Sequence, residues 1–271
     1  MAYLHFKPTI WSKFIQTEAE KACKLVEDCN TQFEGEAKHA SQVKILGIAA
    51  PTISDYDQET GLATPETPQD SSQVLNIDQA KSFNFMVDDI DKAQGGQEIL
   101  KTLCAEAAKG IARVRDSFVA SLAKDAEYSS ESTQVTTAKQ AKALIDDGIL
   151  ALREKDVNID DDVTITISPF FYRLFRDELI ELKTDNDELI RKGVVGMYDN
   201  CKVKLSNNLY NDGTDDYMMI RTKKAIAFAS GIDETEAYRP ENFFSDAVKG
   251  LSVYGGKIVR QKELYVLKAH K

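Results

Sequence analysis

The stretch QEILKTLCAEAAKGIARVRDSFVASLAK, Gln97 to Lys124, decides how the rest of the chain is read. Its apolar positions are Ile99, Leu100, Leu103, Cys104, Ala107, Ile111, Val114, Phe118 and Leu122, recurring in steps of three and four. That is the period of an amphipathic α-helix. Asp88, Asp89 and Asp91 precede it, where carboxylates suit free N–H groups and the positive end of the helix dipole. Tyr128-Ser129-Ser130 then stops favouring helix. At ~1.5 Å per residue, about 28 residues make a rod of roughly 42 Å. This is more than twice the ordinary helix length. Two readings stay open: a long core helix, or a spine that sets the shape of a flat subunit.

Upstream, Thr9 to Asp28 reads as a helix with little to bury within itself. Ile10, Phe14, Leu25 and Val26 make a thin apolar stripe, and Trp11, the chain's one tryptophan, stands beside Phe14. Such a stripe suits an arm laid on another surface. Val43 to Ile53 is β-branched and apolar, as in a strand. Ser54 to Gln73 then holds Gly61, Pro65, Pro68 and five carboxylates, Asp55, Asp57, Glu59, Glu66 and Asp70, with little to bury. A loop of about twenty such residues inside a compact domain is unusual unless it is functional or disordered. Val74 to Val87 returns with alternating Leu75, Ile77, Phe83, Phe85 and Val87. The two strands are expected to form one long hairpin with a projecting tip. A bare hairpin is marginal alone in water, so the tip should rest on another surface.

Downstream, Val135 to Glu154 has helical spacing, with Thr136 or Thr137 as cap. Val163–Ile167 is a buried-type strand, and Ser168-Pro169 opens another helix. Strands are expected near Lys202 to Leu205, Ala225 to Ala229, Leu251 to Tyr254 and Leu264 to Leu267. Asn211-Asp212-Gly213 marks a turn between strands. The elements are segregated and show no regular βαβ alternation, so the fold class is α+β.

The chain has 271 residues, 42% of them hydrophobic and 29% charged, enough for one large domain or two smaller ones. A formal charge of −10 argues against a broad basic face for nucleic-acid phosphates. Cys23, Cys29, Cys104 and Cys201 form no CxxC pair and are expected to be reduced packing residues of a cytosolic product. No signal peptide opens the chain, and no apolar run reaches the ~18–20 residues of a membrane span. The reading is a soluble protein, intracellular when made, with no membrane contact.

No catalytic pattern emerges. His5, His39 and His270 are scattered, and phosphate-cradling glycine motifs are missing. Asp156, Asn158, Asp160 and Asp162 match the first half of a calcium loop. Asp161 replaces the required glycine, and Ile167 stands where the bidentate glutamate belongs. An acidic helix-to-strand turn is the plainer reading. A metal-dependent hydrolase built on these turns is the alternative; no metal, cofactor or catalytic residue is expected.

Several runs carry a resemblance. They are Phe33-Glu34-Gly35-Glu36, Asp70-Ser71-Ser72, Ile77-Asp78-Gln79-Ala80-Lys81, Phe83-Asn84-Phe85 and Val87-Asp88-Asp89-Ile90-Asp91. Later come Ile167-Ser168-Pro169 with Tyr172 and Leu174, Ser206-Asn207-Asn208-Leu209, and Ala225-Ile226-Ala227-Phe228-Ala229. Glu236-Ala237-Tyr238-Arg239, Phe243 and Gly250-Leu251 through Tyr254-Gly255 complete the series. In order and spacing, from about Phe6 to Leu267, they resemble a tailed-bacteriophage major capsid protein of the Hong Kong 97 fold. The resemblance implies an N-terminal arm (1–42), an extended β-hairpin loop (43–88) and a peripheral domain on a long spine helix (89–128). It also implies a mainly axial domain that includes some peripheral strands (129–250) and C-terminal strands (251–271). The implied function is a coat protein whose hexamers and pentamers form an icosahedral virion shell around packaged double-stranded DNA. A bacterial nanocompartment of the same fold is the variant. Implied partners are other copies of the chain, a scaffolding protein, a portal protein, an optional decoration protein, and DNA through weak non-specific contact. The chain shows no scaffolding segment ahead of the arm, so a separate scaffolding protein, or one cut off, is implied. The protein would reside in the host cytoplasm before assembly. Trp11, Phe14, Tyr56, Glu59, Glu66 and Asp70 are the expected inter-subunit contacts.

Overall fold

The computed structural model describes residues 24–33, 41–48, 70–88, 98–159, 162–181 and 196–271. The long helix α1 spans Glu98–Ser121 and runs on as a 3₁₀ turn over Leu122–Asp125. Its buried face differs from the expected one. Cys104, Ala108, Ala112, Asp116, Val119, Ala120 and Ala123 are buried, while Leu103 and Val114 are exposed. Ile111, Phe118 and Leu122 are half-buried. Hydropathy weights large side chains, but close approach of a helix to a sheet selects small ones. The backbone therefore lies near the sheet, and the large residues flank the contact.

Among the described residues the strands form three sheets. In the first, β1 (Gln42–Ile48) pairs antiparallel with β2 (Asp70–Asn76), from Gln42 opposite Asn76 to Ile48 opposite Asp70. The second, in the order β10–β11–β3, combines β3 (Gln79–Asp88), β10 (Ile226–Tyr238) and β11 (Ser245–Ile258). The third holds β4 (Thr133–Gln134), β5 (Thr164–Ile167), β6 (Met197–Tyr198), β7 (Cys201–Leu205), β9 (Asp216–Arg221) and β12 (Leu264–His270). Its order is β4–β12–β9–β5–β7–β6, with β8 (Tyr210–Asn211) beside β9. Helices α2 (Ala138–Arg153) and α3 (Pro169–Glu181) pack on this third sheet. The class is α+β.

Alternation along β9 and β12 separates two cores. Met218, Ile220 and Leu267 face α2 and α3, together with Ile145, Leu152, Phe171 and Phe175. Met219, Leu264 and Val266 face the opposite side, where Val119, Ala120 and Ala123 of α1 meet Leu25 and Cys29. Further back, Cys104 and Ala108 of α1 pack on Val87 and Val248 of the second sheet. One rigid helix thus ties two sheets together, which is the spine reading.

Two strand expectations need correction. The predicted strand Val74–Val87 divides at Ile77-Asp78. Only its first part pairs with β1; the second part is β3 and joins β11, Gln79 opposite Tyr254 and Asp88 opposite Ser245. The unbroken alternation across Ile77 hides a change of partner. The short strands expected near Ala225–Ala229 and Leu251–Tyr254 are instead a ribbon of 13 and 14 residues. Asp233, Glu234, Glu236, Gly250 and Gly255 mask their length in sequence. At α2 the cap is Thr137, whose hydroxyl accepts from the Gln140 N–H in a complete capping box. Thr136 donates its N–H to the same Gln140 side chain at 3.1 Å. Most of the predicted first helix, and the end of the one opened by Pro169, lie outside the described residues.

Candidate assembly surfaces

Three described segments, residues 24–33, the β1–β2 pair and the far end of the β10–β11 ribbon, are each held by polar contacts. Residues 24–33 enter under α1. The buried Asp116 carboxylate, 1% exposed, accepts three backbone N–H groups. They come from Lys24 at 2.9 Å, Leu25 at 3.0 Å and Val26 at 3.3 Å. From the other side Arg221 of β9, fully buried, donates to the Leu25 carbonyl at 2.6 Å and to Cys29 Sγ at 3.1 Å. Burial pushes the Cys29 thiol up, with Arg221 pulling the other way. Lys204 reaches Glu27 and Asp28, each at 2.9 Å. Burial opposes its charge, but these carboxylates more than offset that and raise its pKa. Asn30 closes the segment, donating its N–H to the Ile226 carbonyl and accepting from the Phe228 N–H.

The β1–β2 hairpin crosses the ribbon at Gly255. A Cβ there would lie 2.0 Å from the Asn76 carbonyl oxygen, so only glycine permits the crossing. Val43, Ile45, Leu75 and Ile77 bury against Ala227 and Ala229 beneath it. Lys257 Nζ donates to the Val74 carbonyl at 3.1 Å, and the Gln73 amide to the Val259 carbonyl at 3.2 Å. Each strand of the hairpin has seven residues, about 23 Å at ~3.3 Å per residue.

The third extension is the far end of the ribbon. Gly250 leaves room for the Phe83 ring, which would lie 2.2 Å from a Cβ. Arg115 of α1 ties the ribbon down: its Nη2 bonds to Asp233 and donates to Ser252 at 2.7 Å. Asp233 also accepts from Ser230, at the bulge in β10 between Ser230 and Ile232. Beyond Tyr238 the chain turns back through Phe243 and Phe244, which are 58% and 83% exposed. Met86, on β3 at the same end, is 56% exposed.

Of the residues singled out in the sequence, Trp11, Phe14, Tyr56, Glu59 and Glu66 lie outside the described residues. Asp70 is described in its backbone, at the end of β2 opposite Ile48. In the acidic turn, Asp156 and Asp162 have left-handed backbones, and Asp160 lies outside the described residues. Asp162 bonds to Lys202 at 2.6 Å, which holds its carboxyl below the usual range. Among the described residues no group of three or more His, Cys, Asp or Glu is placed to hold a metal. No described helix is long and apolar enough to cross a membrane. Cys29, Cys104 and Cys201 are free and buried. Sequence reading missed Arg115, Asp116 and Arg221; the first two carry one signal, adjacent charges placed between Ala112 and Val119 on the buried side of a helix.

No family model matches the chain, and no curated protein does. Solved structures do. A chain of Mycobacterium phage Che8 is 28% identical over 90% of each chain, with a TM-score of 0.74. The capsid of cyanophage P-SCSP1u matches at 14% identity, covering 90% of this chain and 86% of that one, with a TM-score of 0.68. A virus-like particle from Pyrococcus furiosus matches at 12% identity over 96% and 98%, with a TM-score of 0.62. The architecture is therefore that of shell-forming capsid proteins. More narrowly, the chain has the Hong Kong 97-type fold of the tailed-phage capsid proteins.

Proposed function

We propose that this chain is a major capsid protein that assembles into the hexamers and pentamers of an icosahedral shell around packaged double-stranded DNA. The observation that carries the reading is the layout. One spine helix packs on two sheets, and residues 24–33, the β1–β2 pair and the β10–β11 ribbon are each held by polar contacts. In this reading residues 1–42 are the arm, and β1, β2 and the segment between them are the extended loop. Helix α1 with β3, β10 and β11 forms the peripheral domain, and the seven-stranded sheet with α2 and α3 forms the axial domain. Trp11, Phe14, Tyr56, Glu59, Glu66 and Asp70 then act as inter-subunit contacts. A scaffolding protein, a portal and an optional decoration protein are the expected partners, with only weak, non-specific contact to DNA given a formal charge of −10. The virion shell is the destination, reached from the host cytoplasm, and the role is structural with no turnover.

The test is to replace residues 49–69, which join β1 to β2, by a two-residue Asn-Gly turn. Lengthening or shortening a flexible loop changes folding cost by only ~0.6 kcal/mol per doubling. The variant should melt with the unaltered chain and form no particles by sedimentation or negative-stain imaging. Closed particles from the shortened chain would defeat this reading.

A further inference from the structure

We propose that residues 24–33 act as a strap coupled to the β10–β11 ribbon: seating the strap orders the ribbon, and releasing it loosens the ribbon. Two contacts hold the strap. On one side its N–H groups converge on Asp116 of α1, at 2.9, 3.0 and 3.3 Å. On the other, Asn30 lies against the start of β10. Its N–H donates to the Ile226 carbonyl at 2.8 Å, and its carbonyl accepts from the Phe228 N–H at 3.0 Å. Asn30 thereby bridges to Ala227 in the manner of a parallel neighbouring strand. The strap is bonded both to the spine and to the first residues of the ribbon.

The spine grips the ribbon through the adjacent residue. Arg115 bonds to Asp233 and donates to Ser252 at 2.7 Å. Between the two anchors lies Tyr254 of β11, 1% exposed. Its ring packs on Phe228 of β10 with centroids 5.8 Å apart and on Phe118 of α1 at 5.4 Å. The Arg115 guanidinium sits 5.8 Å from the centre of the same ring. Leu25 and Cys29 of the strap share that core with Ile226, Phe228 and Tyr254. The Tyr254 hydroxyl has no hydrogen-bond partner among the described residues, so packing alone fixes the ring. Lifting the strap removes part of that packing together with the Asn30 pairing, and Tyr254 carries the change to Arg115 and its anchors. The effect reaches along the ribbon, since β10 has thirteen residues, about 40 Å at ~3.3 Å each. Coupling between two sites is reciprocal, so loosening the ribbon must also unseat the strap. In the shell reading, a neighbour that pulls on the chain ahead of Lys24 alters the ribbon offered to another copy. The coupling itself belongs to the single chain and stands or falls apart from shell formation.

The experiment is amide hydrogen exchange on the unassembled chain, each rate compared with the amides of α2 and α3 in the same sample. Asp116→Asn keeps the shape of the side chain and weakens the strap's anchor. It should speed exchange at residues 246–251 of β11, the central strand of its sheet, about tenfold beyond any change in α2 and α3. That factor lies inside the ~5–150-fold span of couplings between sites. Asp233→Asn leaves the strap's own contacts in place. It should speed exchange of the Lys24, Leu25 and Val26 N–H groups by a similar factor. Leu25→Ala on the strap and Ser252→Ala on the ribbon repeat the two arms if either first variant fails to fold. Acceleration confined to the altered side in both variants would show two independent anchors and overturn the coupling. Acceleration that α2 and α3 match in full would reflect loss of global stability, and overturns it as well.

Discussion

Replacing Asp116 with alanine tests how the N-terminal segment is held to the spine. The carboxylate accepts N–H groups from Lys24, Leu25 and Val26 at 2.9, 3.0 and 3.3 Å. A hydrogen bond to a charged group contributes about 1.5–3 kcal/mol net. Leu25 is buried, so its bond counts in full. Lys24 is exposed and can turn to water, and the Val26 bond is long; each counts at about half. The sum is roughly 3–6 kcal/mol before the segment relaxes. Release of the segment into water limits the loss, which places the expected value at about 3 kcal/mol. For a chain of this size each kcal/mol lowers the melting temperature by about 2–4 °C, so Asp116→Ala should melt roughly 6–12 °C lower. Asp116→Asn keeps one acceptor oxygen and should fall in between. The assay is circular dichroism melting of the unassembled chain, with limited trypsin digestion, since cleavage after Lys24 should accelerate as the segment detaches. Unchanged melting together with unchanged cleavage at Lys24 would refute the reasoning. Leu25 and Cys29 would then hold the segment by apolar contact alone.

Other outcomes follow from the same geometry. Asp233→Ala leaves the mostly buried Arg115 guanidinium without its carboxylate and should cost about 3–5 kcal/mol in urea unfolding; Ser252→Ala should cost only about 1 kcal/mol, and the reverse order would disprove this account of the ribbon's anchor. Gly255→Ala forces a methyl against the Asn76 carbonyl and should cost about 1–3 kcal/mol, with amide exchange rising first in β1 and β2; unchanged exchange there would contradict it. Burial pushes the Cys104 and Cys201 thiols from 9.0 up to about 11. Their folded-state values exceed the unfolded one, so the stability they carry is complete below about pH 9 and declines as pH climbs toward 11. Both thiols should resist iodoacetamide at pH 8 until urea is added, and rapid native labelling at either would count against the burial seen here.

How much of this was legible beforehand depended on whether a signal was local. The spine's extent was readable to within a few residues because steps of three and four persist from Glu98 to Ala123. Its buried face was not, because Ala108, Ala112 and Ala120 contribute little hydropathy yet make the contact. The cap at Thr137 was readable from Gln140 three residues later. The exchange of partners at Ile77-Asp78 was not, since both halves alternate in phase and only a distant strand, β11, distinguishes them. The ribbon's length was obscured for a related reason: Asp233 is paired with a residue 118 positions earlier, and nothing near it in sequence announces that. The exposed Phe243-Phe244 pair reads as an ordinary apolar cluster until the topology places it between β10 and β11 at the far end of the ribbon.

These roots explain why burying charge is tolerated in a body of this shape. Arg115 and Asp116 are neighbours on one helix and pin two different extensions, the ribbon through Asp233 and the N-terminal segment through Leu25. Apolar contact alone is non-directional and would let a strand of about 40 Å swing at its base, where a small angle becomes several ångström at the tip. Hydrogen bonds to a fixed guanidinium or carboxylate constrain that angle. Many copies must meet at the same joints for a shell to close, so the direction of each extension matters more than the last kilocalorie of stability. The consequence is measurable. Arg115→Met removes the pin while keeping most of the packed volume, and hydrophobic replacement of a buried ion pair is often close to neutral once its partner is removed too. The double variant Arg115→Met with Asp233→Leu should therefore melt within a few degrees of the unaltered chain yet assemble poorly or into irregular particles. Regular closed shells from that double variant would show that the ribbon's direction is set by packing, and that the charges are dispensable for assembly.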